Sequence, residues 1–273
     1  MISIFAKKTS RGRGGHLQRV SSLIRGVQVA EQIGANLNPE SGYENDTCIY
    51  VKPHVPRGYD FNFEGRKSYL DIVDGHVLGQ VLMKHPEVLC IVCSQADYNI
   101  MHKSIPNEII IIPQQNCNFE RVTRTRQEIT RVGVIGTEGA FPFLPVGLKE
   151  ELAKRGMELI QFSAFRTRQD IVDFYMKIDI QIVWRPYKKI LSNPLKLVNG
   201  ASVGVPTIAL DEKAFWELRG YYFPVSTLEA FLKQLDELRK NSSLYAEYSV
   251  KCIKKAEEYH IEKIGQMYKE LDK

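Results

Sequence analysis

The stretch Ser192-Asn-Pro-Leu-Lys-Leu-Val-Asn-Gly-Ala-Ser-Val-Gly-Val-Pro-Thr-Ile-Ala209 reads as a loop, a short helix, a tight turn and a buried strand. Ser192 or Asn193 is a suitable helix cap, and Pro194 suits the first turn, where a missing N–H costs nothing. Lys196 and Asn199 are three apart and share a face near the positively polarised end of the helix. Gly204 is placed to end the helix, Pro206 follows, and residues 207–210 run apolar into a sheet. Backbone donors, one ammonium and one amide then converge where an anion such as a diphosphate would bind. The alternative is an ordinary strand-flanked helix of an α/β protein.

Working outward, strands and helices alternate on both sides of this stretch. Residues 1–6 form a first apolar strand, and residues 7–15 a basic, glycine-rich loop. A helix follows, with Leu17, Val20, Ile24, Val27 and Ala30 at helical spacing and Gly34 at its end. Further strands are read at 46–51, 69–73, 88–93 and 108–113, with helices at 77–83 and 94–102. Residues 114–127 are polar and break the rhythm. It restarts with strands at 131–135, 158–162 and 179–184, helices at 148–155 and 167–176, and the loop Gly136-Thr-Glu-Gly139. An amphipathic helix at 226–240 and a charged helical stretch at 243–271 complete the chain. The expected fold class is α/β, with two Rossmann-like domains facing a cleft. The expected division is an N-terminal Rossmann-like domain at 1–115, a linker at 116–130, a C-terminal Rossmann-like domain at 131–250, and a C-terminal helix at 251–273 that packs back on the first domain.

The segment from Pro194 to Ile208 resembles the nucleotide-sugar segment of GT-B glycosyltransferases, similar to the group-one and family-four enzymes, although the chain is short for them. That segment typically reads Pro-x-Lys-x-x-Glu-x-x-Ala-x-Gly-x-Pro-x-Ile/Val. The chain has its Pro, Lys, Gly and second Pro, and departs at Asn199, where the family usually carries a Glu that holds the donor ribose. The resemblance implies transfer of a sugar, hexosyl or pentosyl, from a nucleotide-diphosphate sugar such as a UDP-sugar to an acceptor hydroxyl, with no bound metal or other cofactor. It places Asn193, Pro194, Leu195, Lys196 and Asn199 at the donor, with Arg185 and Lys189 as further phosphate cations and Thr137 and Glu138 on the facing loop. It also implies that Gly14 and Gly15 let donor or acceptor approach the backbone.

Asp74 and His76 follow a strand at its carboxyl end, where an open α/β sheet binds ligands, and either is a candidate proton acceptor for the acceptor hydroxyl. The alternative for Asp74 is a helix cap. Asp71 shares the strand face of Val73 and is a poorer candidate. Arg11, Arg13 and His16 belong to a basic N-terminal cluster suited to steering phosphates, an anionic membrane surface or nucleic acid; its plainer reading is a solvated basic face.

Composition bounds these readings. The 273 residues are 44% hydrophobic and 25% charged, with a formal net charge of +5. That is ordinary for a globular protein with a sizeable core. No apolar run is long enough to cross a bilayer, and no signal peptide precedes the first strand. Five cysteines without a second metal-ligand pair argue against both a disulfide framework and a zinc site, and point to a reducing cytoplasm. There is no nucleophile elbow, zinc-protease motif or P-loop. The expected partners are a nucleotide-sugar and an acceptor glycan, lipid-linked sugar or small molecule. Two alternatives remain: a phage-type enzyme glycosylating a hydroxymethylated or otherwise modified DNA base, and a non-catalytic nucleotide-binding module.

Overall fold

The computed structural model describes residues 1–7, 20–55, 60–126, 128–185 and 189–273. They form two compact units. Unit 1 comprises Met1–Gln115, Lys189–Asn193 and Ile261–Lys273; unit 2 comprises Asn116–Lys188 and Pro194–His260.

In chain order, the first part holds β1 (Ile2–Ala6), a π-helical turn at Ser22–Val27 continuing into α1 (Gln28–Ile33), β2 (Asn36–Leu37), β3 (Thr47–Val51), β4 (Lys67–Val73), α2 (Gly79–Leu82), β5 (Leu89–Val92), α3 (Gln95–Met101) and β6 (Ile109–Ile111). Then come β7 (Arg131–Ile135), α4 (Leu148–Lys154), β8 (Glu158–Phe162), α5 (Arg168–Lys177), β9 (Ile180–Val183), α6 (Leu195–Ser202), β10 (Thr207–Leu210), β11 (Phe223–Val225), α7 (Leu228–Lys240), α8 (Ser242–Ala256) and α9 (Ile261–Glu270).

Unit 1 is a parallel sheet in the order β2-β1-β3-β4-β5-β6. Its inner strands are near-continuous apolar runs because helices cover both faces: Ile4, Ile49, Leu70 and Ile91 are fully buried. Gly34 closes α1 in the left-handed conformation (φ 71°) that glycine adopts without a Cβ penalty. In the preceding π-helical turn, fully buried Arg25 donates from Nε to Asp71 Oδ2 at 2.7 Å, and from Nη1 to the carbonyls of Ile112 and Pro113 at 2.8 and 2.7 Å. Tyr268 of α9 donates its hydroxyl to the same Asp71 oxygen at 2.9 Å. Asp71 is thus the buried counter-ion that ties the first helical region and the last helix to β4. Gly265 allows close packing of α9 on α1: a Cβ there would lie 2.9 Å from Gln32 Cγ.

Unit 2 is a parallel sheet in the order β11-β10-β9-β7-β8. Its winding repeats that of unit 1: the second strand lies on one side of the first and the third on the other. The order therefore switches between β1 and β3 in unit 1, and between β7 and β9 in unit 2. In open α/β sheets, ligands bind beyond the carboxyl ends of the strands at such a switch.

The stretch read as a linker, 116–130, is built into unit 2 in its described residues. Asn118 Nδ2 donates to the carbonyls of Ser202 and Val122 at 2.8 and 2.7 Å, and Arg124 and Arg126 both bind the buried Asp179 carboxylate. The helical stretch read over 243–271 is divided into α8 and α9. After a 3-10 turn at Glu257–Tyr259, His260 is extended (φ −69°, ψ 146°), and its ring bonds the Phe119 carbonyl at 3.1 Å and Arg121 Nη2 at 3.1 Å. All five cysteines are free and buried. Among the described residues, no helix is long and apolar enough to cross a membrane, and no three His, Cys, Asp or Glu side chains gather as metal ligands would.

Candidate functional site

In unit 2, β7 ends at Ile135 and the chain turns through Gly136, Thr137 and a 3-10 helix, Glu138–Phe143. On the other side of the switch, α6 begins at Leu195. A Cβ built on Gly136 would lie 3.4 Å from Lys196 Nζ, so the exposed ammonium of the first helical turn rests beside the glycine that ends β7. Thr137 and Glu138 are exposed on the same loop. The structure therefore brings Lys196 and the Gly136 loop together at the sheet's switch point.

The start of α6 differs from the sequence reading. Pro194 is the N-cap residue (φ −84°, ψ 19°), with no side-chain cap. Ser192 and Asn193 belong to unit 1, where Ser192 N donates to Asp97 Oδ1 at 2.9 Å and the Ser192 carbonyl accepts from Ser94 Oγ at 3.4 Å. The Val198 N–H donates to the Pro194 carbonyl at 3.1 Å.

The backbone of Lys196 is fixed from below by a buried relay. Thr207 Oγ1 donates to Gln181 Oε1 at 2.8 Å, Gln181 Nε2 donates to the Tyr175 hydroxyl at 2.9 Å, and that hydroxyl donates to the Lys196 carbonyl at 3.2 Å. Burial raises the Tyr175 hydroxyl well above its ordinary pKa, so it stays a donor. Gly200 makes this seating close: a Cβ there would lie 2.5 Å from Gln181 Oε1 and 3.3 Å from Thr207 Oγ1. Alanine normally stabilises a helix interior relative to glycine. Here Gly200→Ala is expected to lower stability by about 1–3 kcal/mol through overpacking, read as a reduced melting temperature; an increase would show that the relay yields freely.

Asn199 is turned inward. It is buried, and its Oδ1 accepts the Cys117 backbone N–H at 2.9 Å. It therefore does not share an exposed face with Lys196, and its carbonyl group clips α6 to the chain entering unit 2. Arg185, following β9, forms an ion pair with Glu212 after β10, each about one-fifth exposed (19% and 22%). Glu212, the relay residues and the Asn199 clip carry no local motif; the only sequence clue was the placement of residues 185 and 212 just past strand ends.

In unit 1, Asp74 follows β4 and pairs through Oδ1 with Lys52, while its Oδ2 lies 3.9 Å from Lys189 Nζ. Asp74 is not a helix cap: the following 3-10 helix, His76–Leu78, has Gly75 as its N-cap residue and no side-chain cap. Burial alone would push the Asp74 carboxyl up, but the Lys52 hydrogen bond and the charges of Lys52 and Lys189 outweigh it and hold it below the usual range. His76 is exposed. The backbone here is strained: Lys52 (φ 40°) and the β-branched Val73 (φ 54°) both lie in the left-handed region. Each conformation costs about 1–3 kcal/mol and tends to occur at functional sites, and Lys52 also precedes Pro53, which disfavours helical backbone. Lys52, which no sequence motif marks, is thus part of this cluster. Gly14, Gly15, Arg11, Arg13 and His16 lie outside the described residues.

No protein-family model matches the chain, and no curated protein matches it. Solved structures do. WaaG, a glycosyltransferase involved in lipopolysaccharide biosynthesis, is similar over 100% of this chain and 99% of its own, with a TM-score of 0.57 at 11% identity. The pneumococcal O-GlcNAc transferase GtfA, in complex with UDP and GlcNAc, is similar over 94% of this chain and 60% of its own, with a TM-score of 0.56 at 10% identity. TarM is similar over 86% of this chain, with a TM-score of 0.53 at 15% identity. The chain spans 51% of TarM's length and 60% of GtfA's. At such identities the likeness is one of fold, and with two parallel sheets wound in the same order the chain has the two-domain α/β fold of the GT-B glycosyltransferases.

Proposed function

We propose that the protein is a glycosyltransferase that moves a sugar from a nucleotide-diphosphate sugar to an acceptor hydroxyl, and that the amino end of α6 with Lys196 binds the diphosphate. The observation that carries this reading is the placement of the Lys196 ammonium, in the first turn of α6, against Gly136 at the switch point of the unit 2 sheet. As the sugar–oxygen bond breaks, negative charge builds on the departing diphosphate. A fixed ammonium and a positive helix end stabilise that charge more than they stabilise the bound donor. A neighbour of the same fold, GtfA, holds UDP and GlcNAc, which favours a uridine diphosphate donor.

On the acceptor side, the lysine-clamped Asp74 stays ionised but is a weak proton acceptor, because its pKa is displaced away from neutrality. Its role in this reading is to accept a hydrogen bond from the hydroxyl and orient it. His76 is then the candidate base.

The test is a thermal-shift screen of nucleotide diphosphates and nucleotide-sugars, paired with an assay of donor consumption. A ligand at one hundred times its Kd adds about 2.7 kcal/mol to the folded state, so a true donor raises the melting temperature measurably. If no nucleotide stabilises the protein and no donor is consumed, the reading falls.

A further inference from the structure

We propose that the Lys52–Asp74–Lys189 cluster of unit 1 is an oxyanion site, and that the acceptor carries a phosphate group beside the hydroxyl that receives the sugar. The word acceptor rests on the reading of unit 2 as the donor side; the anion site stands on unit 1 alone.

Two ammoniums address one carboxylate. Lys52 meets Asp74 Oδ1 and Lys189 stands 3.9 Å from Oδ2, so the three side chains carry one net positive charge. Partial exposure, 22% for Lys52, 34% for Asp74 and 42% for Lys189, leaves them within reach of a ligand. The cluster is built rather than incidental in three respects. Lys52 and Asp74 follow adjacent strands, β3 and β4, at the carboxyl edge of the sheet and next to its β1/β3 switch, where this architecture places ligands. The Lys52 stem lies over Gly75, where a Cβ would be 3.4 Å from Lys52 Cε and 3.0 Å from the Ile72 carbonyl. Lys189 opens a five-residue visit of the chain to unit 1, anchored by buried Leu191 in the core around Leu78 and by the Ser192 N–H on Asp97.

The side-chain types narrow the ligand. Lysine ammoniums are compact point charges that bind phosphate oxygens without the planar, bidentate geometry of arginine. Asp74 between them repels the phosphate and at the same time accepts a hydroxyl proton in a hydrogen bond. A hydroxyl next to a phosphate satisfies all three groups; a bare phosphate satisfies only two.

The experiment is calorimetric titration of the UDP-saturated protein with inorganic phosphate, glycerol and glycerol 3-phosphate. Glycerol 3-phosphate is expected to bind more tightly than phosphate, and glycerol not measurably, with affinity falling as salt rises. Lys52→Met and Lys189→Met are each expected to weaken phosphate binding about three- to tenfold, with UDP affinity unchanged. Asp74→Asn is expected to strengthen it by a similar factor, because a competing charge is gone. A general loss of structure cannot produce these opposite signs, and Lys189 is exposed enough that its variant folds if the protein does. No phosphate binding to the UDP-saturated protein, or weaker binding in Asp74→Asn, overturns the proposal. Should UDP not bind at all, the donor reading fails separately, and the same titration on Lys196→Met protein still decides the anion site.

Discussion

Alanine at position 179 is expected to destabilise unit 2 by about 3–5 kcal/mol, the range for breaking a buried ion pair from one side. Asp179 is fully buried at the foot of β9. Its Oδ1 accepts from Arg124 Nε and Nη2 at 3.1 and 2.6 Å and from Arg126 Nε at 2.9 Å. Its Oδ2 accepts the backbone N–H of Thr130 at 2.7 Å and of Arg131 at 2.8 Å. Removing the carboxylate leaves Arg124, which is only 4% exposed, with its backbone carbonyl acceptors but without this negative charge, and unties the segment leading into β7. Asp179→Asn keeps the shape but turns an NH2 toward donors, so it is expected to lose much of the same stability. The pH dependence separates charge from shape. Burial raises the Asp179 carboxyl, and the Arg124, Thr130 and Arg126 bonds more than reverse that, leaving its pKa low. The stabilisation is therefore complete above the unfolded carboxylate value of about 3.9 and is lost as pH falls through the lower folded value. Urea titrations from pH 7 down to 3 are expected to show a flatter acid limb for Asp179→Asn than for the unsubstituted chain. A loss below about 1 kcal/mol for the alanine variant would mean that the segment finds other anchors.

The fold was legible where chemistry is local. Buried parallel strands are apolar runs, glycine marks the left-handed end of α1, and Ser94, with Oγ accepting the Asp97 N–H at 3.1 Å, caps α3 as its sequence context implies. The restart of the strand–helix rhythm at Arg131 reported a second sheet. What escaped was set by distant partners. Nothing near His260 breaks a helix by propensity, yet contacts with Phe119 and Arg121, some 140 residues upstream in sequence, accompany the break there. Asn199 was placed on a ligand face by its spacing from Lys196, and a backbone N–H from Cys117 draws it inside. Arg185 is one of three cations clustered ahead of a helix start, and only the fold shows Glu212 beside it. Residues 189–193 adjoin α6 in sequence but pack in unit 1, because Leu191 finds its apolar partners there. Periodicity identifies which residues are buried, but not against what.

Lys196→Ala is expected to lower kcat by about 10²–10³, the loss typical of removing one preorganised group from developing transition-state charge. The fold is expected to be unaffected, because the side chain is exposed and the helix is held through the backbone: the Tyr175 hydroxyl bonds the Lys196 carbonyl, which alanine retains. Lys196→Arg is expected to restore little. Its branched planar head is bulkier than an ammonium, and the lysine already sits beside Gly136, so a guanidinium has to leave that position or displace the loop. The split between constants carries the argument. Removing an ammonium that grips donor and transition state alike would raise KM with kcat unchanged, whereas removing one matched to the departing diphosphate would lower kcat and kcat/KM together. Single-turnover measurement of donor cleavage, with the melting temperature as a control on folding, distinguishes the two. A variant that folds normally and turns over within about threefold of the unsubstituted protein, a barrier change of under about 1 kcal/mol, would show that the diphosphate lies elsewhere. The assignment of α6 as its cradle would then be withdrawn, while the two-sheet fold and the oxyanion site of unit 1 would be untouched by that result.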